Sequence, residues 1–316
     1  MFGGNTFGGG SYDGGSYGGG SYGGGSYGGG SYGGGSGGGA FGGGLFGSGP
    51  FGGLAGSGGA TGTGGAAWFG SFPGAGVWYR APQPAVVSGA YGDVNGDRVP
   101  DHVFLTAVQQ DPTSPYMQQI ILHVRDGATG ATYSVELDSE GNAGYNPTVF
   151  LGDFTGNGIQ DILITIDSGG SGAFTFDYIF SFAGNQARKL FDFNEYNRQN
   201  TYTVTYQNNY RVKVTSPATG LTYLIDISGR DRDYLSQIYN ADGTLKQPVQ
   251  GWADGVSGFY PVDIDRNGVY EIQAYQQLSG LYHADSLGYM VNTLSWDGRK
   301  FAIQQQWLGI FGTSAS

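Results

Sequence analysis

Three stretches decide how this chain is read: 89-GAYGDVNGDRVPDHVFL-105, 148-TVFLGDFTGNGIQDILI-164 and 258-GFYPVDIDRNGVYEIQA-274. Aligned on Asp93, Asp153 and Asp263, each shows an apolar run, an acidic loop and a second apolar run. The runs are short and rich in β-branched and aromatic residues, so each stretch predicts strand, loop, strand. Oxygen-bearing side chains recur at loop positions 1, 3, 5 and 9. They are Asp93, Asn95, Asp97 and Asp101; then Asp153, Thr155, Asn157 and Asp161; then Asp263, Asp265, Asn267 and Glu271.

Working outward, strand signals dominate from about Val77. Candidate strands are 102–108, 118–124, 131–137, 161–167, 174–182, 201–207, 210–216, 221–227 and 269–275. Asp126-Gly127, Asp242-Gly243 and Asp297-Gly298 punctuate them as turns, and SWDGRKFAI and VTSPATGLTYLI read as hairpins. No amphipathic helix of 12 residues is evident, and 230–241 could hold only a short helical turn. The expected class is all-β.

The spacing suits a hard cation. A tight loop turns alternate side chains inward, so positions 1, 3 and 5 can converge on one point. The position-7 carbonyl (Val99, Ile159 or Val269) can join them, and the position-9 carboxylate closes the cage. Six to eight oxygens at about 2.3–2.6 Å fit Ca2+ better than Mg2+. An EF-hand is excluded, because position 12 is Phe104, Ile164 or Ala274 within a predicted strand. The competing reading is metal-free, with Asp and Asn capping their own backbone as Asx turns and Arg98 or Arg266 neutralising the acids.

The pattern apolar-Gly-Asp-x-Asn-Gly-Asp-x-x-x-Asp-apolar resembles the FG-GAP/VCBS repeat family. That resemblance implies β-propeller blades with calcium-binding loops over residues 80–312. Three departures stand out. Position 6 is Arg98 in the first loop, the second loop has two carboxylates, and the third ends in Glu271. On charge count the first and third loops rank above the second as metal sites. Asp153 follows Asp93 by 60 residues and Asp263 follows Asp153 by 110, so the interval implies about four sheet units. One would lack its loop, near Tyr206–Tyr210. A small propeller or propeller-like array of antiparallel sheets is expected.

Residues 1–75 differ in kind from 76–316. More than half of the 64 glycines precede Arg80, and Asp13 is the only charged side chain there. Ser-Tyr recurs every five residues at Tyr12, Tyr17, Tyr22, Tyr27 and Tyr32. Glycine runs lose much backbone entropy on ordering, so this tail is expected to be disordered. Its evenly spaced aromatics can make many weak stacking contacts, which suggests self-association or tethering to other coat or surface proteins. G-x-S-x-G and G-x-G-x-x-G matches in the tail lack the strand and helix that would give them meaning.

Net charge is −11, concentrated after the tail. Such a domain repels phosphate backbones and offers no polybasic patch, so neither nucleic acid nor a membrane is an expected partner. No stretch approaches a membrane span. Without cysteine, disulfides, thiolate zinc sites and cysteine nucleophiles are excluded. No secretory signal is visible at the N-terminus, so an extracellular or spore-surface location would require another exit, such as mother-cell lysis. His102, His123 and His283 form no zinc spacing and are read as structural. Trp252, Tyr260, Tyr282 and Trp296 are candidates to stack on sugar rings, or else pack within sheets. The expectation is a non-enzymatic structural or adhesive surface protein. A calcium-dependent carbohydrate-binding module and a hydrolase on the same scaffold are the alternatives.

Overall fold

Period-two burial shows why these segments become strands. In β2 (Asp101–Val108) Val103, Leu105 and Ala107 are buried while His102, Phe104 and Thr106 are half-exposed. In β3 (Gln118–Arg125) Ile120, Leu122 and Val124 continue the same apolar face. The computed structural model describes residues 82–170 and 172–312, and they all belong to one unit, Ala75–Ser316. The expected disordered tail, residues 1–75, lies outside the described residues.

Antiparallel meanders make up three sheets. The first joins β1 (Ala85–Gly92), β2, β3 and β4 (Thr132–Glu136) in sequence order. The second joins β5 (Tyr145–Gly152), β6 (Asp161–Asp167), β7 (Thr175–Ser181) and β8 (Arg188–Asp192). The third holds β9 (Thr203–Gln207), β10 (Arg211–Thr215), β11 (Thr222–Asp226), β12 (Gln250–Val262), β13 (Glu271–Ser279), β14 (Ser286–Trp296) and β15 (Phe301–Gly309). Its seven strands run in the order β11-β10-β9-β12-β13-β14-β15.

Four separate units were expected, and here the structure differs. The loop-free meander β9–β11 fuses with β12–β15 through a short pairing, Gln250 with Thr205 and Gly251 with Val204. Where a loop was missing, β9 turns tightly into β10 with Asn209 (φ 63°) and Tyr210 (φ 58°) left-handed. Such a turn matches the twist of a two-stranded hairpin and leaves no room for an acidic loop.

Among the described residues two short α-helices interrupt the strands, besides a single 3-10 turn at Ala183–Asn185. α1 (Phe193–Gln199) starts at Asp192, whose side chain accepts from the Asn194 and Glu195 N–H groups. α2 (Arg232–Ile238) falls within the anticipated 230–241 turn and is capped the same way by Asp231. The sequence reading missed α1, whose seven residues are too few to establish an apolar stripe.

Apolar residues form two cores. One gathers the first two sheets with Val256, Phe259, Ile272, Ala274 and Leu294 of the third. The other gathers β9–β11 and α2 with Leu278, Leu287 and Met290. No helix among the described residues is long and apolar enough to cross a membrane.

Candidate functional site

Each acidic loop joins the first strand of a meander to its second: β1 to β2, β5 to β6 and β12 to β13. The position-1 aspartate organises it. Asp93 accepts from Gly96 N (2.7 Å) and Arg98 N (2.8 Å), Asp153 from Gly156 N (2.6 Å) and Gly158 N (2.7 Å), and Asp263 from Asn267 N and Gly268 N (both 3.0 Å). Position 5 caps position 7: Asp97, Asn157 and Asn267 accept from Val99, Ile159 and Val269 N–H at 2.8, 2.8 and 2.7 Å. Position 9 reaches back to position 2. Asp101 accepts from Val94 N, Asp161 from Phe154 N and Glu271 from Ile264 N. The position-1 and position-5 contacts are local Asx-type bonds, and with the longer reach of position 9 they replace the ladder bonds a loop forfeits.

Positions 4 and 6 are left-handed in all three loops: Gly96 and Arg98, Gly156 and Gly158, Arg266 and Gly268. Arg98 therefore adopts the backbone that glycine takes elsewhere, and the first loop keeps its shape at the cost of strain. Neither Arg98 nor Arg266 forms an ion pair among the described residues.

The loops also stack in one register. Asp93 C=O accepts from Gln160 N (3.2 Å), and Asp153 C=O accepts from Tyr270 N (2.8 Å), so position 1 of one loop meets position 8 of the next. The position-7 side chains of Ile159 and Val269 lie over Gly96 and Gly156. A Cβ on Gly92 would stand 2.0 Å from Gln160 Oε1, and one on Gly152 would stand 2.9 Å from the Tyr270 ring. Among the described residues the third loop has no successor in this row. There Val262 and Arg266 replace the glycines, and Ile264 is 50% exposed while its counterparts Val94 and Phe154 are fully buried. The first, second and third loops are thus direct neighbours, and the loop-free meander does not intervene between the second and third.

Side-chain placement around the loops is uneven. In the first, Asn95 Nδ2 approaches Asp97 Oδ2 (3.4 Å) and Asp101 Oδ1 (3.5 Å) and bonds Asn185 Oδ1 (3.2 Å). Asn185 in turn donates to Asp126, and Gly127 N donates to Asp101 Oδ1. Sequence reasoning placed Asp126-Gly127 in a turn without linking it to this loop and missed Asn185, because these residues come from distant turns with no local repeat to tie them to it. In the third loop Asp265 accepts from Asn267 Nδ2 (3.0 Å), and both residues are exposed. Among the described residues no three or more Asp, Glu or His side chains are drawn together as a metal cluster.

The second loop carries the unmet demand. Asp161 is 1% exposed, its Oδ2 accepts from Phe154 N, Thr155 N and Thr155 Oγ1, and its Oδ1 makes no close hydrogen bond among the described residues, the Ser181 side chain being the weaker partner beside the carboxylate. Burial pushes its pKa up to about 6, with Asp153 adding to the rise and the hydrogen bonds opposing it. Charge count ranks this loop last, yet it holds the buried acid with an acceptor lacking a close hydrogen bond.

The histidines have packing partners. His102 stacks between Tyr91 and Phe104, His123 bonds Thr106 and Ser134, and His283 sits 3.2 Å from Asp254. Of the four aromatics considered for sugar stacking, Tyr260 and Tyr282 are exposed, Trp296 packs on Phe301 under Arg188, and Trp252 is half-buried.

Fold and loops together define an all-β protein built from meanders, seven of whose strands coincide with a known domain. Residues 200–309, which span that seven-stranded sheet, match the family model described as the YybI C-terminal domain. The protein described as "Uncharacterized protein YybI" of Bacillus subtilis (strain 168) is 44% identical over 232 residues, covering 73% of this chain and 87% of that relative. No solved structure matches. The chain belongs to the YybI family. Assignment to the FG-GAP/VCBS repeats is thereby overturned. The physical reason for the false likeness is that Gly, Asp and Asn at those positions meet general needs: two left-handed residues, self-capping carboxylates and close stacking of neighbouring loops.

Proposed function

We propose that this chain is a non-enzymatic structural or adhesive protein of a cell or spore surface. On this reading its β domain is braced by Ca2+ at the acidic loops, and its glycine-tyrosine tail tethers it to further copies or to other surface proteins. The loop-bearing meanders would act as blade-like units of a small propeller-like array. The observation that carries the reading is the row of three loops of one design, stacked in register, with a buried acceptor at Asp161 Oδ1 that makes no close hydrogen bond among the described residues.

The donor set is compatible with the ion. Carboxylate, amide and hydroxyl oxygens are hard ligands, and an orphaned buried carboxylate oxygen is the kind of atom a cation satisfies. Asp153, Thr155, Asn157, the Ile159 carbonyl and Asp161 would hold it in the second loop, with Asp93, Asn95, Asp97, the Val99 carbonyl and Asp101 in the first. Asp263, Asp265, Asn267, the Val269 carbonyl and Glu271 would do so in the third. A bound divalent ion supplies charge neutralisation and pins the strand ends.

Melting of the full chain in calcium and in chelator tests the metal. An ion at about a hundredfold over its Kd adds about 2.7 kcal/mol, or roughly 5–10 °C in a domain of this size. An unchanged midpoint at about 10 mM calcium would remove the metal from the reading. Replacing Tyr12, Tyr17, Tyr22, Tyr27 and Tyr32 together by Ser tests the tail, and sedimentation should show assembly lost.

A further inference from the structure

Away from the acidic loops, β12 slips its register against β13 between Ala253 and Val256, so Asp254 and Gly255 bulge from the sheet. The bulge is held from α1: Asn197 Oδ1 accepts from Val256 N (2.9 Å), and its Nδ2 would lie 2.9 Å from a Cβ on Gly255. Bulges re-aim neighbouring side chains, and here they re-aim Trp252 and Asp254. A cavity of about 320 Å3 opens beside them, bordered by Trp252, Tyr202, Thr201, Asn197, Asn200 and Gln276.

Two features make this a prepared site. First, Trp252 is fixed. Its Nε1 donates to Asp254 Oδ1 (2.8 Å), and the His283 ring stands edge-on against it at 5.1 Å. The Asp254 carboxylate is 5% exposed and is matched by Trp252, by Ser279 Oγ at Oδ2 (2.7 Å) and by His283 Nδ1. Both of its oxygens are therefore hydrogen-bonded within the protein. Second, Gln276 is 2% exposed, and its Nε2 donates to both Asn200 C=O (3.2 Å) and Asp254 C=O (3.1 Å). Those two carbonyls fix which way the amide points. Oε1 must then be an acceptor, and among the described residues it has no donor.

An occupant that satisfies Gln276 Oε1 must bring it a donor, present an apolar face to an indole and carry no negative charge, since no basic side chain borders the cavity among the described residues and a buried carboxylate lies beside it. The volume exceeds that of a few waters at about 30 Å3 each. We propose that this cavity is a subsite for one neutral sugar unit, its C–H face against Trp252 and a hydroxyl donating to Gln276 Oε1. The site uses neither the acidic loops nor the tail, so it stands or falls separately from the calcium reading.

The test is titration of the full chain, in chelator, with neutral oligosaccharides: maltohexaose, cellohexaose, chitohexaose and mannohexaose. Calorimetry gives the affinity, and the indole N–H resonances of the 15N-labelled protein report the place. At least one sugar should bind with a Kd under about 1 mM and shift the resonance that disappears in Trp252→Phe. Gln276→Leu should weaken binding roughly tenfold. Should Gln276→Leu fail to fold, the wild-type indole shift still decides. No binding by any of the four at about 10 mM, or binding that leaves the Trp252 resonance and the Gln276→Leu affinity untouched, overturns the proposal.

Discussion

Arg98 shows what one side chain costs a turn. At φ 68° it occupies a backbone region that glycine enters freely and an L-residue enters at roughly 1 kcal/mol. Arg98→Gly should therefore raise stability by about 1 kcal/mol less the entropy glycine loses, a small upward shift in melting midpoint. Asp177 is the opposite case, a residue placed by its neighbours against its own preference. It is fully buried, accepts from Thr165 Oγ1 (2.8 Å) and Thr175 Oγ1 (2.6 Å), and burial pushes its pKa up to about 7. The folded state thus binds its proton more tightly than the unfolded chain. The resulting stability is complete below the unfolded value near 3.8 and is lost as pH rises through about 7. Asp161 acts in the same direction up to about pH 6. The melting midpoint should fall between pH 5 and pH 8, and Asp177→Asn should flatten that fall. A midpoint that rises over this range would contradict the placement of both acids. Nothing in FTFDYIFSF announces a buried acid: alternation put Asp177 on a strand, but only the tertiary packing covers both faces of β7.

At the scale of the element, the loop array was half legible. The repeat of oxygen-bearing side chains at positions 1, 3, 5 and 9 identified three like loops between strands, because those at positions 1, 5 and 9 bond within their own loop. Their mutual contact was not legible, since it depends on glycines whose role is to be absent where Gln160, Tyr270, Ile159 and Val269 lie. That contact gives a contrast to measure. Gly152→Val drives a branched side chain into Tyr270 and Phe150 and should cost about 1–3 kcal/mol in denaturant unfolding. Val262→Gly, at the equivalent position of the last loop, should cost only glycine's strand penalty of about 0.5–1 kcal/mol. Equal losses would mean that the stacking does not order the loops. The hairpins around Asp297-Gly298 and in VTSPATGLTYLI formed as their turn chemistry required, with Asp297 Oδ1 accepting from Arg299 N and Lys300 N at 2.8 Å.

For the molecule as a whole, all-β architecture followed from composition and alternation, while the partition into sheets did not. Interval counting anticipated four units but could not see that β9 would find β12, because that pairing is only two residue pairs long. The join is secured instead by side chains. Asn292 Nδ2 donates to Tyr196 OH (2.7 Å) and Tyr202 OH (2.9 Å), Gln306 bonds Asn292 Oδ1 and Tyr202 OH, and Thr219 of the β10–β11 turn and Tyr223 of β11 reach Gln306. A buried polar network of this kind specifies one arrangement when every member is satisfied. Tyr202→Phe removes one acceptor shared by two amides and should cost about 1–3 kcal/mol, read as a lower midpoint in chemical unfolding. A loss within error would place the specificity of the join elsewhere.

The two ends of the loop row are chemically unlike, and this gives the array a direction of growth. A duplicated copy of β5–β8 placed directly after β8 would find Gly152 and Gly156 ready to receive its Ile159 and Gln160 counterparts, and would itself offer glycines to Tyr270 and Val269. A copy appended beyond β15 would meet Val262 and Arg266 instead. These two side chains stand where an added loop would need glycine, so tandem duplication should lengthen such a protein more readily from within than from its third loop.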